Sequence, residues 1–189
     1  MAAVESNMLD LGTLAPAFQL PDFDGRMVSH DDFKHAPALV IAFICNHCPF
    51  VKHVRAEFAR YAREYQAKGL AVIAINSNDI QAYPQDGPRG MAEEARTVGY
   101  TFPYLLDESQ AIAKAYRAAC TPDFYLFDST QRLVYRGQFD ASRPSNAIPV
   151  TGADLRSATD AVLDRGPVSQ DQRPSIGCNI KWKKGQEPA

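Results

Sequence analysis

The stretch VIAFICNHCPFVKHVRAEFARYAREY (residues 40–65) joins an apolar run to an amphipathic pattern, and two cysteines stand at the junction. The run itself, APALVIAFI (36–44), is rich in branched side chains, which is typical of a strand buried on both faces. After the cysteines, apolar residues recur at three- and four-residue spacing, as in a helix that buries one side. These residues are Val51, Val54, Phe58, Tyr61 and Tyr65. The stretch therefore predicts a strand that turns directly into a helix.

A second buried strand is predicted at LAVIAINS (70–77), so residues 37–77 form a strand–helix–strand unit with parallel strands. The remaining patterns predict a hairpin over 18–29, a helix over about 91–98, a short strand over 102–107, a helix over 108–118, an antiparallel pair over 123–139 and a helix over 152–164. The sequence thus indicates a single α/β domain over 1–189. It has a central mixed sheet flanked by helices, an N-terminal hairpin extension and an irregular C-terminal tail over 166–189.

The composition and charge of the chain argue against several classes of function. The chain has 189 residues, 46% of them hydrophobic, and a net charge of −2 with scattered basic residues. That charge pattern argues against nucleic-acid and anionic-membrane partners. No apolar run approaches the roughly 20 residues of a membrane span, and no targeting signal is visible at the N-terminus, so a cytoplasmic location is expected.

The cysteine pair has a predicted position on the fold. Proline is best tolerated at the first position of a helix, so Pro49 places Cys48 at the N-cap and Cys45 on the turn before it. Both sulfurs then lie near the positive end of the helix dipole, which favours a thiolate. A helix N-terminus, nearby cations and a two-residue spacing lower a cysteine pKa from about 8.5 to roughly 3.5–7.5.

Three cationic side chains are candidates for assisting the pair, namely His47, Lys52 and His53. Cys45 precedes the helix and is expected to be the more exposed thiol. We therefore predict attack by Cys45 and resolution by Cys48, with the direction of electron flow left open.

Two other interpretations of the pair are less favoured. Cys45 and Cys48 with His47 or His53 would make a metal-binding module, but structural zinc takes four ligands, and Cys120 and Cys178 do not form a second close pair. Two inert buried cysteines are the other alternative. Neither a metal nor a bound cofactor is predicted.

Several stretches carry a resemblance to a known family. LGTLAPAFQLPDFDG, CNHCPFVKH, CTPDFYLFD, RGQFD, PVTGADLR and SIGCNIKWK occur in order along the chain. Together they resemble thioredoxin-fold proteins of the alkyl hydroperoxide reductase and thiol-specific antioxidant branch, in a peroxiredoxin-like group that carries a two-residue cysteine pair. The resemblance implies a thioredoxin-like fold. It also implies that Pro122 is a cis proline facing the pair and that Thr121 offers backbone hydrogen bonds to a substrate chain or thiol.

The chain departs from both parent patterns. Thioredoxins carry a tryptophan before the first cysteine and Gly-Pro between the two, where this chain has Ile44 and Asn46-His47. Peroxiredoxins carry a proline and a threonine or serine seven and three residues before the peroxide-attacking cysteine. Counted back from Cys48 these places hold Ile41 and Cys45, and counted from Cys45 they hold Ala38 and Ala42. Neither register supplies the hydroxyl that orients a peroxide.

The two remaining cysteines have open roles. Cys120 is either a third thiol near the pair or a buried, inert residue. Cys178 lies in the tail beside Trp182, and Lys181, Lys183 and Lys184 would favour its thiolate. It either resolves a bond formed at Cys45, or the tail is simply pinned to the body by Ile180 and Trp182.

The sequence thus predicts a thiol–disulfide oxidoreductase that acts through Cys45 and Cys48 in cell redox homeostasis. Its partner is a thiol or disulfide, in a protein or a small molecule. The alternative is an antioxidant thiol peroxidase, in which a sulfenic acid forms and the neighbouring cysteine resolves it. The oligomeric state is left open.

Overall fold

The computed structural model describes residues 3–188, which form ten strands and four α-helices. The strands are β1 (Ala3–Glu5), β2 (Gln19–Pro21), β3 (Met27–Ser29), β4 (Ala38–Phe43), β5 (Ala71–Asn76), β6 (Tyr104–Leu106), β7 (Cys120–Thr121), β8 (Asp123–Asp128), β9 (Leu133–Gly137) and β10 (Ile176–Asn179). The helices are α1 (Pro49–Gln66), α2 (Pro88–Val98), α3 (Ala111–Ala115) and α4 (Ala153–Leu163). Across residues 3–188, every helix falls short of the length and apolar character that a membrane crossing requires.

The central sheet has the strand order β6-β5-β4-β8-β9. β4 pairs in parallel with β5 and β5 with β6, whereas β8 runs antiparallel to both β4 and β9. Every residue of β4 is buried, because alternate side chains enter two different apolar clusters on the two faces of the sheet. The predicted mixed sheet and the doubly buried strand are confirmed.

Helix α1 starts as soon as β4 and its turn have ended, and its apolar side packs on the sheet. Phe58 anchors this contact, with its ring centroid 5.3 Å from those of Phe102 and Phe124 and 6.0 Å from that of Phe139. Aromatic rings at such separations contribute beyond their buried area. The first turn of α1 is therefore held rigidly over the end of β4.

The predicted elements outside this unit are present with shifted ends. The hairpin β2–β3 is confirmed, and Gly25 in its turn has a φ of 83°, where glycine carries no steric penalty. α2 begins at Pro88 rather than 91, since proline occupies its first turn. α3 is shorter than predicted, because Gln110 before it has a φ of 62° and therefore lies outside the helix.

The expectation of a wholly irregular tail is wrong. Residues Ile176–Asn179 form β10, the middle strand of a second sheet with the order β1-β10-β7. Both pairings are antiparallel. The sequence shows no sign of this strand, because its four residues lack alternation and the partners are remote in the chain. Ile180 and Trp182 pack against the body just after it, as the pinned-tail interpretation expects.

Gly177 of β10 is expected to tolerate no side chain. A Cβ atom there would lie 2.0 Å from the carbonyl oxygen of Thr121, which is backbone and cannot rotate away. We expect Gly177→Ala to lower the free energy of unfolding by about 2–3 kcal/mol, the cost of forcing an extra methyl into a packed site. Urea unfolding under reducing conditions measures this change.

Gly166→Ala is the matched control, since a Cβ there meets only the Ala161 carbonyl oxygen at an ordinary 3.6 Å. Its stability should stay within about 0.5 kcal/mol of wild type. Equal stability of the two variants would contradict the close approach of β10 to Thr121.

Candidate active site

The cysteine pair lies where the sequence placed it. Cys48 is the N-cap of α1 with extended backbone angles, and Pro49 is the first helical residue. Cys45 lies on the turn between β4 and α1. Both thiols are buried, at 1% exposure for Cys45 and 0% for Cys48, so the expected difference in exposure between them is absent. The cause is a cover of other segments, since His47 stacks on Tyr83 and Thr121 lies against both sulfurs.

The surroundings of the pair favour negative charge on Cys48. Interaction with the Cys45 thiol, with smaller contributions from Cys178 and from the backbone at Val51, lowers the pKa of Cys48 to about 5 in spite of its burial. The same interaction with Cys48, then burial and the charge of Asp86, raise the pKa of Cys45. The two thiols therefore share one proton, which resides on Cys45.

Of the three predicted cations, only His47 contacts the pair. Its Nδ1 atom lies 3.9 Å from Cys45 Sγ. Lys52 is exposed, and His53 points to a different partner, with its Nε2 2.7 Å from the Ser142 hydroxyl. The low pKa of Cys48 therefore comes from its interaction with Cys45 rather than from a neighbouring lysine.

Sequence reasoning missed the carboxylate that organises the turn. Asp86 is fully buried, and its carboxylate accepts hydrogen bonds from the backbone N–H of Asn46 at 2.9 Å and from the Asn78 amide at 2.8 Å. Its Oδ2 atom also lies 2.6 Å from His47 Nδ1. One signal pointed there: the polar residues 76–79 follow β5, and the carboxyl ends of parallel neighbours such as β4 and β5 meet at one edge of the sheet.

The predicted metal ligands are not brought together as one set. Among the described residues 3–188, the cluster with metal-binding spacing consists of Cys45, His47 and Asp86, whose ligand atoms lie within 4.8 Å of one another. Cys48 and His53 are outside it. Within this cluster His47 already uses Nδ1 to contact Asp86, and the same nitrogen is the one that faces Cys45. The geometry fits a hydrogen-bonded turn better than a four-ligand zinc site.

The peptide bond between Thr121 and Pro122 is cis, as the family resemblance implied. The Thr121 hydroxyl is 3.5 Å from Cys45 Sγ, and its carbonyl oxygen is 3.2 Å from Cys48 Sγ. That carbonyl is placed to accept a hydrogen bond from Cys48 when this thiol is protonated. Thr121 therefore contacts both members of the pair.

The backbone of Thr121 is not free for a substrate chain in this structure. β10 pairs with it in antiparallel register, with Cys178 opposite Thr121 and Asn179 opposite Cys120. The position that the resemblance assigned to a substrate is thus filled by a segment of the same chain.

The two outer cysteines differ in environment. Cys178 is buried beside Cys48, and burial followed by its contact with Cys48 raises its pKa to about 12. The expected lysine effect is too weak to offset this, and the Lys181 ammonium is held by the Asn179 carbonyl at 2.6 Å. Cys120 is fully buried, burial raises its pKa strongly, and its Sγ lies 3.6 Å from the Pro122 carbonyl oxygen. Cys120 matches the inert interpretation.

Solved structures share this architecture. An uncharacterized conserved protein from Geobacillus kaustophilus is 58% identical, with a TM-score of 0.95 and coverage of 97% of both chains. A putative thioredoxin from Neisseria meningitidis is 21% identical, with a TM-score of 0.61 over 79% of this chain and 89% of its own. The second likeness shows that the fold is thioredoxin-like.

Sequence comparison finds relatives among the peroxiredoxins. A 1-Cys peroxiredoxin from Zea mays is 25% identical over 109 residues, which is 54% of this chain and 48% of the maize protein, so the chain spans about half of that relative. The AhpC/TSA family model matches residues 11–136, more than half of the chain. These matches and the paired thiols support an oxidoreductase, and the chain belongs to the AhpC/TSA family.

Proposed function

We propose that this chain is a thiol–disulfide oxidoreductase in which Cys45 and Cys48 alternate between dithiol and disulfide. The observation that carries the proposal is the placement of two buried thiols at the start of an 18-residue helix, with Thr121 against both sulfurs. Their interaction lowers the pKa of Cys48 to about 5. A thiolate is the attacking species in disulfide exchange, and this one is present at neutral pH.

The charge distribution revises the roles that the sequence suggested. Cys48 holds the thiolate, so we propose Cys48 as the first nucleophile. It attacks one sulfur of a substrate disulfide, forms a mixed disulfide and releases the other sulfur as a thiolate. Cys45, after losing its proton to that leaving thiolate, attacks Cys48 Sγ. This step forms the Cys45–Cys48 disulfide and releases the second substrate thiolate, so two electrons pass from the pair to the substrate.

The side chains that cover the cysteine pair indicate the side from which a partner could approach it. His47 is the least buried residue of the turn, with a side chain 13% exposed, and it stacks on Tyr83 with ring centroids 5.3 Å apart. We propose that the partner, a protein thiol or disulfide or a small one such as glutathione, reaches the pair on this side. A cytoplasmic location and a part in cell redox homeostasis belong to the same proposal, since a reducing compartment keeps such a pair cycling.

Oxidised glutathione provides the test. Reduced wild type is mixed with it at pH 7, and the product is analysed by intact mass and by tryptic mapping of peptide 35–52, which carries both cysteines. We expect an intramolecular disulfide within that peptide. In Cys48→Ser we expect no such bond and a rate of reaction lowered at least tenfold, because burial and the charge of Asp86 still raise the pKa of Cys45 and keep its thiol protonated at pH 7.

Cys120→Ser is the matched control, since it removes an equally buried thiol outside the pair, and it should react as wild type does. A wild-type protein that stays fully reduced in excess oxidised glutathione, while remaining folded, would refute the exchange function.

A thiol peroxidase is the second candidate, and one observation favours it: the hydroxyl missing from the peroxiredoxin position is supplied by Thr121, 3.5 Å from Cys45 Sγ. In this reaction the Cys48 thiolate attacks one oxygen of a hydroperoxide, the O–O bond breaks, and Cys48 becomes a sulfenic acid while an alcohol or water leaves. The Cys45 thiol then forms the disulfide with Cys48, and the sulfenic oxygen leaves as water. Rapid mixing with hydrogen peroxide and trapping of the sulfenic acid distinguish the two. Peroxide consumption faster than glutathione exchange, and lost in Thr121→Val, would establish the peroxidase.

A further inference from the structure

The strand β10 lies on the cis-proline segment along its whole length. The Ser175 hydroxyl, just before the strand, donates to the Pro122 carbonyl oxygen at 2.6 Å. The backbone N–H of Ile180, just after it, donates to the Ala119 carbonyl oxygen at 3.0 Å. Between these two bonds the antiparallel pairing sets Cys178 opposite Thr121. The strand thus covers the backbone that an extended substrate chain would use for strand addition.

This arrangement brings a third sulfur to the pair. Cys178 lies opposite Thr121, whose carbonyl oxygen is 3.2 Å from Cys48 Sγ, and Cys178 and Cys48 belong to the same buried cluster. Cys45 belongs to this cluster as well, and its hydrogen-bond neighbours are His47 and the Thr121 hydroxyl. Cys48 therefore has two thiols within reach of its sulfur, one from the turn and one from β10.

We propose that Cys178 is a third redox thiol, which occupies the place of a substrate cysteine and forms an alternative disulfide with Cys48. The proposal rests on the disulfide-exchange function of the pair. It adds a catalytic residue that the close spacing of Cys45 and Cys48 does not indicate.

The chemistry requires no reagent beyond those already named. When Cys48 carries a mixed disulfide with glutathione, Cys178 loses its proton to the departing glutathione thiolate and attacks Cys48 Sγ. The bond between Cys48 and glutathione breaks, and the bond between Cys48 and Cys178 forms. Alternatively, Cys178 attacks Cys48 Sγ in the Cys45–Cys48 disulfide. Cys45 then leaves as a thiolate, accepts the proton of Cys178, and no net oxidation occurs.

The protonated state of Cys178 sets the order of events. Because the pKa of Cys178 is near 12 while that of Cys48 is near 5, Cys178 does not compete with Cys48 for an incoming disulfide at neutral pH. Cys178 acts only after Cys48 has reacted, because the negative charge on Cys48, which disfavours ionisation of Cys178, is then gone. Cys178 is thus suited to resolution and not to first attack.

The test removes Cys45, so that Cys178 is the only thiol beside Cys48. Reduced Cys45→Ser is treated with oxidised glutathione at pH 7 and mapped by tryptic mass spectrometry. We expect most molecules to carry a bond between peptide 35–52 and the peptide that contains Cys178. In Cys45→Ser/Cys178→Ser we expect a stable glutathione adduct on Cys48 instead.

Cys45→Ser/Cys120→Ser is the matched control, and it should keep the bond between Cys48 and Cys178. A folded Cys45→Ser protein, checked by circular dichroism, that retains glutathione on Cys48 would overturn the proposal. So would a bond from Cys48 to Cys120. Formation of the Cys45–Cys48 disulfide in wild type is measured separately. If that disulfide forms but Cys178 does not bond to Cys48 in Cys45→Ser, the third-thiol proposal fails and the exchange function remains. If the wild-type disulfide does not form, the exchange function itself fails.

Discussion

In reduced wild type, one cysteine should be a thiolate at neutral pH and should take up a proton with a midpoint near pH 5. This titration step should be absent in Cys48→Ser. The pKa of Cys48 is about 5 chiefly because of its interaction with the Cys45 thiol. At pH 7 the thiolate is then almost fully formed, whereas an ordinary cysteine with a pKa of about 8.5 is ionised to only a few per cent. The near-ultraviolet absorbance of thiolates, followed from pH 3.5 to 8, measures this fraction directly.

Two further variants show which cysteine carries the negative charge. Cys120→Ser should keep the step unchanged. Cys45→Ser should keep it but move it to higher pH, because the shorter serine side chain reaches less far toward Cys48 than the Cys45 thiol does. If the step near pH 5 persists in Cys48→Ser and vanishes in Cys45→Ser, the thiolate belongs to Cys45 and the order of attack derived from the sequence is restored.

The second large effect is expected at Asp123, the first residue of β8, directly after the cis proline. Its carboxyl is fully buried, and it accepts a hydrogen bond from the Tyr125 hydroxyl at 2.9 Å. Burial raises the pKa of Asp123 to about 8, compared with about 3.9 in an unfolded chain. The folded state therefore binds one proton more than the unfolded state between about pH 4 and 8, and the protein loses stability as the pH rises through that window.

Asp123→Asn removes this proton linkage while keeping an acceptor for Tyr125. We expect the free energy of unfolding of the variant relative to wild type to rise between pH 5 and pH 8 by an amount on the order of 4 kcal/mol. Urea unfolding of both proteins at the two pH values, under reducing conditions, gives this difference. The contributions of all other titrating groups largely cancel in the comparison.

Asp164→Asn supplies the control, since Asp164 is an exposed carboxylate at the end of α4. Its stability relative to wild type should be the same at pH 5 and pH 8. A flat difference for Asp123→Asn as well would show that Asp123 is ionised in the folded protein.

Local patterns predicted the frame of the site. The doubly buried β4 and the start of α1 at Pro49 follow from residues within one segment, so periodicity and the backbone preference of proline suffice to place Cys45 and Cys48. The cis bond before Pro122 needed more, because composition alone favours the trans form, and it came from the family resemblance.

What the sequence did not predict depends on contacts between distant segments. Asp86 bonds to Asn46 across 40 residues, and the polar residues after β5 are the one hint of it in the sequence. The burial of Cys45 depends on the same approach of remote loops. β10 is too short, and its residues alternate too little, for the sequence to predict a strand. Its pairing with β1 and β7 on either side defines it. The tertiary partners decide these features, and local propensity does not.

The β1-β10-β7 sheet also fixes the order in which the site is completed during synthesis of the chain. Ala3 pairs with Cys178, so one of the first strands to be made has no partner until nearly the last one emerges. Contacts of such long sequence separation form late, because the loop that joins them must first be closed. Until then the Thr121 backbone and the Cys48 sulfur lack their cover. A growing chain therefore passes through a stage in which its redox cysteine is more open to glutathione or to a chaperone than in the finished protein.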